Sequence, residues 1–230
     1  MSTYTQTTLV AGASRGIGKG LVEHLAKDPS HFVIGTVRGS SSPFDAANIK
    51  TIQLDQGVAE SVTAAAKDIE PIDTLIVNGA IGLDEKLLTV SEERLQEYLN
   101  INVVGVLRIV RAFLPGLRAG KLKQIVLISS TSGSITRQVN AKSGFTGPYA
   151  VTKAAVNMIA VQLHNELSES GGFTVIPVHP GWVSTDMGNS SRAGGMPVSD
   201  SVEGIIKVIN GLTIDKSATF YEYSGEELPW

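Results

Sequence analysis

Apolar residues along the chain fall into short unbroken runs, separated by longer stretches with a helical period. The runs at 7–11, 32–37, 51–54, 74–78, 124–128, 174–178 and 218–223 are mostly β-branched and apolar throughout. Strands buried on both faces of a sheet read this way. Between them, 16–27, 58–69, 91–117, 149–168 and 199–212 carry helical patterns. Start signals open two of these, "SEER" at 91 and "SDSVE" at 199. Strand–helix alternation predicts an α/β protein: a single Rossmann-type, doubly wound parallel sheet of about seven strands, with helices on both faces. The connector at 38–50 contains "GSSSP" and is too short for a full helix plus loops, so one crossover is predicted to be loop-like. No repeat or linker interrupts the pattern, and 1–230 reads as one domain.

Composition narrows the function classes. Of the 230 residues, 42% are hydrophobic and 18% charged, which suits a folded core rather than disorder. The net charge is −3 and no run of Lys and Arg exceeds two residues, which argues against a nucleic-acid groove or an anionic-membrane surface. Absence of cysteine excludes disulfides, thiolate nucleophiles and Cys-based metal sites. The four histidines, at 24, 31, 164 and 179, have no HxxxH spacing, so no metal is expected. The start "MSTYTQTT" is not a basic segment followed by an apolar one, and no apolar run approaches the roughly 20 residues of a membrane helix. The expectation is a soluble, cytoplasmic protein with neither nucleic-acid nor membrane partners.

The first strand runs into "LVAGASRGIGKGL". Gly12 would let the chain turn sharply, Gly16 would let backbone approach a pyrophosphate, and Gly18 would let the helix pack on the sheet. Unpaired N–H groups of the loop and helix start, around Ser14, Arg15 and Ile17, would hold phosphates. A purely structural turn is the alternative. An NAD site usually places Asp or Glu at the end of the second strand. Here that stretch reads "VIGTVRGSSS", with Arg38 and no acid. Arg38 and Arg15 are suited to a 2′-phosphate, which points to NADP(H), unless both are only solvated surface charges.

In "GPYAVTKAA", Tyr149 and Lys153 stand four residues apart, on one face of a helix that starts at Pro148. Ligands of an open α/β sheet sit beyond the carboxyl ends of its strands. Ser130 after "IVLIS", Asn78, and "HPGWVSTDMG" all fall there.

Taken together, these pieces resemble the short-chain dehydrogenases/reductases. The matching segments are "AGASRGIG", Asp55 in "LDQG", "VNGAIG", Asn102 in "NINVVG", "ISS", "YAVTK" and "PGWVSTDMG", in family order over nearly the whole chain. "FYEYSGEELPW" and "TDMG" look more narrowly like fungal ketoreductases of the norsolorinic acid type and C-factor-like carbonyl reductases. The resemblance implies a small-molecule carbonyl substrate and hydride transfer, with Tyr149 as general acid. A free tyrosine has a pKa of about 10, and the Lys153 cation would lower it. Lys153 would also bind the nicotinamide ribose, and Ser130 would orient the substrate oxygen. Asn102 would hold a water relaying protons to Lys153; a buried polar residue satisfied by backbone is the alternative. Asp55 would contact the adenine or else cap its strand end, and Pro180, Val183 and Thr185 would hold the nicotinamide.

Two features depart from the family pattern. "VNGA" exchanges alanine and glycine after Asn78, which should let backbone at Ala80 approach the cofactor less freely. The gap from Ser130 to Tyr149 is long, leaving Ser129 or Ser132 as alternative substrate-facing serines. The length of the loop 131–147, with Arg137, Lys142 and Phe145, together with the narrower resemblance, suggests a pocket for a sizeable, aromatic, polyketide-like ketone, unless Arg137 and Lys142 are only solvated loop charges; 188–197 is a candidate lid. Helices 91–117 and 149–168 are apolar on more than one face, and the family commonly assembles through them as homodimer or homotetramer; a thick monomer core is the alternative. The final "LPW" should be docked, on its own chain or a neighbour. A non-catalytic dinucleotide-sensing regulator and a non-redox cyclase on the same fold are the competing functions.

Overall fold

The computed structural model describes residues 4–67, 69–141, 144–168, 171–191 and 193–230. Its strands are β1 (Gln6–Ala11), β2 (His31–Val37), β3 (Ile49–Gln53), β4 (Thr74–Val77), β5 (Gln124–Ile128), β6 (Thr174–His179) and β7 (Tyr221–Glu222). All pair in parallel in one sheet, in the order β3-β2-β1-β4-β5-β6-β7. The order reverses between β1 and β4, where an open sheet of this kind forms its ligand crevice.

Register explains why the strands are apolar throughout. Leu9, Ile34, Leu75, Ile125 and Val175 lie in one row across the sheet, and all join the core on one face. One step along, Val10, Ile76, Val126 and Ile176 form the next row and join the core on the other face. Side chains alternate between faces and both faces are covered, so successive positions along a strand are both apolar. The helices are α1 (Gly16–Leu25), α2 (Ala59–Ala65), α3 (Glu92–Leu99), α4 (Gly105–Ala119), α5 (Ile135–Gln138), α6 (Gly147–Ser168), α7 (Asp186–Ser191) and α8 (Val198–Asn210). The first face packs Val62 of α2, Phe113 of α4 and Val156 of α6; the second packs Leu21 of α1 and Ile205 of α8. As the spacing predicts, no helix joins β2 to β3.

Three predicted elements differ. The helix expected over 91–117 is interrupted by a π-helical turn, Asn100–Val104. Polar side chains cause the shift in register: Asn100 Nδ2 donates to the Gly57 carbonyl at 3.0 Å, and Asn102 turns inward to Ile81. Glu92–Ala119 is long and apolar enough by composition to cross a membrane, but Ile109, Val110, Phe113 and Leu117 are spent on the sheet. The strand expected over 218–223 shrinks to two residues. Ala218 is left-handed, with φ of 57°, and Leu228 N–H bonds the Phe220 carbonyl at 2.7 Å as the tail folds back. The helix expected over 58–69 is shorter, ending at Ala65. The terminal "LPW" docks on its own chain. Trp230 stacks on Phe220 at 5.8 Å, and its carbonyl accepts from Thr136 N–H at 2.9 Å.

Candidate active site

A cleft of about 950 Å³ opens at the carboxyl ends of the strands. The glycine loop floors one end. Gly12 has φ of +84°, and a Cβ there would lie 2.6 Å from the backbone of Gly79. Gly79 in turn faces Gln56, whose Nε2 donates to its carbonyl at 2.8 Å. A Cβ at 79 would meet Gln56 Oε1 at 2.3 Å, so glycine, where the family pattern has alanine, leaves the Gln56 amide room to hold this segment. Gly18 is buried beneath the loop rather than lining the cleft; its Cα rests against the Gly12 carbonyl, which also accepts from Asn78 Nδ2 at 2.8 Å. A Cβ at Gly18 would sit 2.1 Å from that oxygen. Gly18→Ala should therefore destabilise the fold by about 1–3 kcal/mol, the usual cost of overpacking. Denaturant unfolding checks this; an unchanged midpoint would count against it. Gly16 has φ of +56°, and a Cβ there would lie 3.1 Å from the Thr185 methyl group. No side chain caps the start of α1, so its first N–H groups stay open beside Ser14, Arg15 and Ile17, which line the cleft.

At the far end of this half, Arg38 lines the cleft and makes no ion pair among the described residues. Asp55 also lines it, and its Oδ1 accepts from Gly57 N–H at 2.8 Å, so it serves as a turn cap as well. Arg15 Nη1 donates to Asp186 Oδ2 at 2.7 Å, a bond between the glycine loop and α7.

The other half holds the reacting groups. Tyr149 and Lys153 rise from the first turns of α6, and both are buried. The Tyr149 hydroxyl and the Ser130 side chain face the same part of the cleft, where Ser130 favours the phenolate. Ser130 Oγ also accepts from Ser132 N–H at 3.1 Å. Ser129 points the other way, donating to Asn157 Oδ1 at 2.5 Å, so Ser130 is the serine that meets Tyr149. Lys153 Nζ donates to the Ile128 carbonyl at 2.7 Å and lies 5.5 Å from the centre of the Tyr149 ring. The expected lowering of the phenol's pKa is not what the geometry gives. Burial pushes Tyr149 up to about 12, only partly offset by Ser130, and pulls Lys153 down to about 8. Stripping water from either charged form outweighs the helical spacing that brings them together.

Asn102 is not in the cleft wall. Its Oδ1 accepts from Ile81 N–H at 2.9 Å, and its Nδ2 donates to the Ile81 carbonyl at 2.8 Å and to Thr152 Oγ1 at 3.1 Å. The amide is thus satisfied by backbone and by α6, and it pins the 79–82 segment against that helix. Pro180, Val183 and Thr185 line the cleft beside Asn78, as expected. Arg137 is drawn to the tail, 4.0 Å from Glu226. Lys142, and Arg192 of the candidate lid, lie outside the described residues.

Further residues complete the site. Gly82 abuts the Tyr149 ring, where a Cβ would come within 2.7 Å, and Phe145 tilts onto that ring at 5.0 Å. Gly133 lies against the Lys153 backbone, at 2.5 Å from a built Cβ. Trp182, Met187 and Leu83 add apolar wall. Arg94 also lines the cleft, held by Glu85 at 3.4 Å and Glu97 at 2.5 Å and lying over the Tyr98 ring. His179 lines it too, with Nδ1 buried and unpartnered among the described residues; burial, then Arg137, lowers its pKa to about 4 and keeps it neutral. Asn157 was within reach of sequence reasoning, since it follows Lys153 by one helical turn. The others are brought in by tertiary approach alone.

A doubly wound sheet with a glycine loop at one end of the cleft and a Ser–Tyr–Lys cluster at the other defines a nucleotide-dependent oxidoreductase architecture. Comparison with known proteins makes the class specific. The short chain dehydrogenase family model matches residues 6–195, and the chain belongs to that family. It is 38% identical over 161 residues to C-signal of Myxococcus xanthus, covering 70% of this chain and 93% of that protein. It is 28% identical to the short-chain dehydrogenase srdF of Neurospora crassa, covering 99% of each. The crystal structure of NADPH-bound carbonyl reductase from chicken fatty liver superposes with a TM-score of 0.91 at 27% identity, covering 100% of this chain and 96% of that one.

Proposed function

We infer that the protein is an NADP(H)-dependent carbonyl reductase whose substrate is a bulky, aromatic, polyketide-like ketone. One observation carries the reading: Ser130, Tyr149 and Lys153 line the same cleft as the uncapped start of α1. The dinucleotide fits the residues present. Gly12 and Gly16 are left-handed, α1 offers free N–H groups, and an unpaired Arg38 stands where an NAD site would carry an acid. The likeness to an NADPH-bound carbonyl reductase supports the same cofactor.

When bound, the nicotinamide supplies the hydride. This chain's residues hold and protonate the carbonyl. Ser130 and Tyr149 converge on its oxygen, and the Tyr149 phenol gives up its proton as negative charge develops there. A phenol held at about 12 is protonated throughout the neutral range, as a donor in the reducing direction must be. Lys153, near 8, can return a proton at close to neutral pH. Phe145, Leu83, Trp182 and Met187 suit a large apolar ring system. Homo-oligomerisation through α4 and α6 belongs to the same reading, supported by exposed Val151 and Met158. The Ser130–Tyr149–Lys153 cluster favours turnover over a purely sensing role.

The test is oxidation of NADPH and NADH with a panel of aryl ketones, quinones and small aldehydes. Turnover of aryl ketones or quinones with preference for NADPH is expected. Activity on small aliphatic aldehydes alone would remove the substrate assignment, and equal efficiency with NADH would remove the cofactor assignment.

A further inference from the structure

Of the two guanidiniums in the nucleotide half of the cleft, one is free and one is engaged. Arg38 has no ion pair among the described residues, whereas Arg15 Nη1 holds Asp186 Oδ2 at 2.7 Å, 171 residues away in sequence. Both partners line the cleft, and both side chains are well exposed, at 71% and 77%. Asp186 opens α7, yet it does not cap that helix. Thr185 does so: its Oγ1 accepts from Gly188 N–H at 3.0 Å and its carbonyl from Asn189 N–H at 2.8 Å. The carboxylate of Asp186 is thus left to Arg15.

We propose that Asp186 sets cofactor selectivity by competing with the 2′-phosphate of the dinucleotide for Arg15. The proposal rests on the reading that this cleft takes NADP(H). A guanidinium binds carboxylate and phosphate through the same planar fork of N–H donors, so one anion must leave before the other is held well. The 2′-phosphate of NADPH must therefore break the Arg15–Asp186 pair, and its apparent affinity is reduced by the strength of that pair. NADH has no 2′-phosphate and leaves the pair intact. Asp186 thereby narrows the preference for the phosphorylated cofactor, while Arg38 supplies the contact that needs no exchange. A general repulsion between Asp186 and any polyanion would act differently. It would weaken both nucleotides, NADPH the more for its extra charge, and would not need Arg15.

The experiment is equilibrium titration of the protein with NADPH and with NADH, followed by tryptophan quenching, in wild type, Asp186→Asn, Arg15→Gln and the double variant. Asp186→Asn should tighten NADPH about two- to fivefold, as befits an exposed ion pair, and leave NADH unchanged. The gain should vanish in the Arg15→Gln background. An unchanged or weaker NADPH affinity, an equal gain for NADH, or a gain that persists without Arg15 would each overturn the proposal. Wild type that binds neither nucleotide would overturn the NADP(H) reading itself, whereas wild type that binds NADPH with no effect of Asp186→Asn overturns this inference alone.

Discussion

Replacement of Tyr149 by phenylalanine should lower turnover about 10³-fold while NADPH affinity stays within about twofold, the size of effect expected when a positioned general acid is lost. The ring itself does structural work that phenylalanine preserves. It fills the space against Gly82 and packs at a tilt on Phe145, with ring centres 5.0 Å apart, so the wall of the cleft should survive. The hydroxyl faces the cleft beside Ser130. Its removal takes away the proton donor and one of two groups that orient the carbonyl. Ser130→Ala should cost less, because Tyr149 remains. Steady-state kinetics and a separate binding titration distinguish these losses. Wild-type-like turnover in the phenylalanine variant would end the assignment of Tyr149 as the acid.

Why Tyr149 and Lys153 could be found in the sequence, while much of their setting could not, follows from the range of the forces involved. Their pairing is local: a helix puts residues four apart on one face whatever surrounds it. The sheet was legible for a related reason. Strands such as 74–77 and 124–128 are covered on both faces, so apolar character runs unbroken along them. Elements decided by a single backbone angle or a tertiary hydrogen bond left no such trace. Ala218 turns left-handed and cuts the last strand short; Asn100 and Asn102 reach across to other segments and open a π-helical turn in what reads as one long helix.

The same division holds within the site. "ISS" identifies the strand end, but choosing among Ser129, Ser130 and Ser132 needs the position of Asn157, which takes up the Ser129 hydroxyl. The exchange of alanine and glycine in "VNGA" reads as a departure from pattern until the Gln56 side chain is seen against Gly79. The Arg15–Asp186 contact spans 171 residues and has no signature in either segment. Most instructive is the phenol's pKa. Spacing alone argues that a cation one turn away lowers it. Burial is a property of the whole fold, and it reverses the sign.

Burial also makes Lys153 a cost to the fold, and Lys153→Met should yield a protein that is both inactive and more stable. Lys153 is 3% exposed, and its Nζ has one hydrogen bond, to the Ile128 carbonyl, with no ion pair among the described residues. A fall from the ordinary 10.5 to about 8 corresponds to about 3 kcal/mol spent on keeping the ammonium charged inside. Methionine keeps the packed chain and removes the charge; leaving the Ile128 carbonyl without its donor costs about 1–3 kcal/mol in return. The net gain near pH 7 should be about 1 kcal/mol, a rise of roughly 2–4 °C in Tm for a chain of this size. The sign with pH follows from proton counting. Below about 8 both folded and unfolded chains carry the proton, and the full penalty is present. Between about 8 and 10.5 the unfolded chain keeps a proton that the folded chain has shed, so wild-type stability rises with pH from this group and the penalty fades. The stability advantage of the methionine variant should therefore be largest near neutrality and gone by about pH 10, while turnover is lost at every pH. Urea unfolding of both proteins across that range measures it. A variant less stable than wild type at neutral pH would mean that the buried ammonium holds the fold together through contacts worth more than its desolvation, and that function and stability at Lys153 are not opposed.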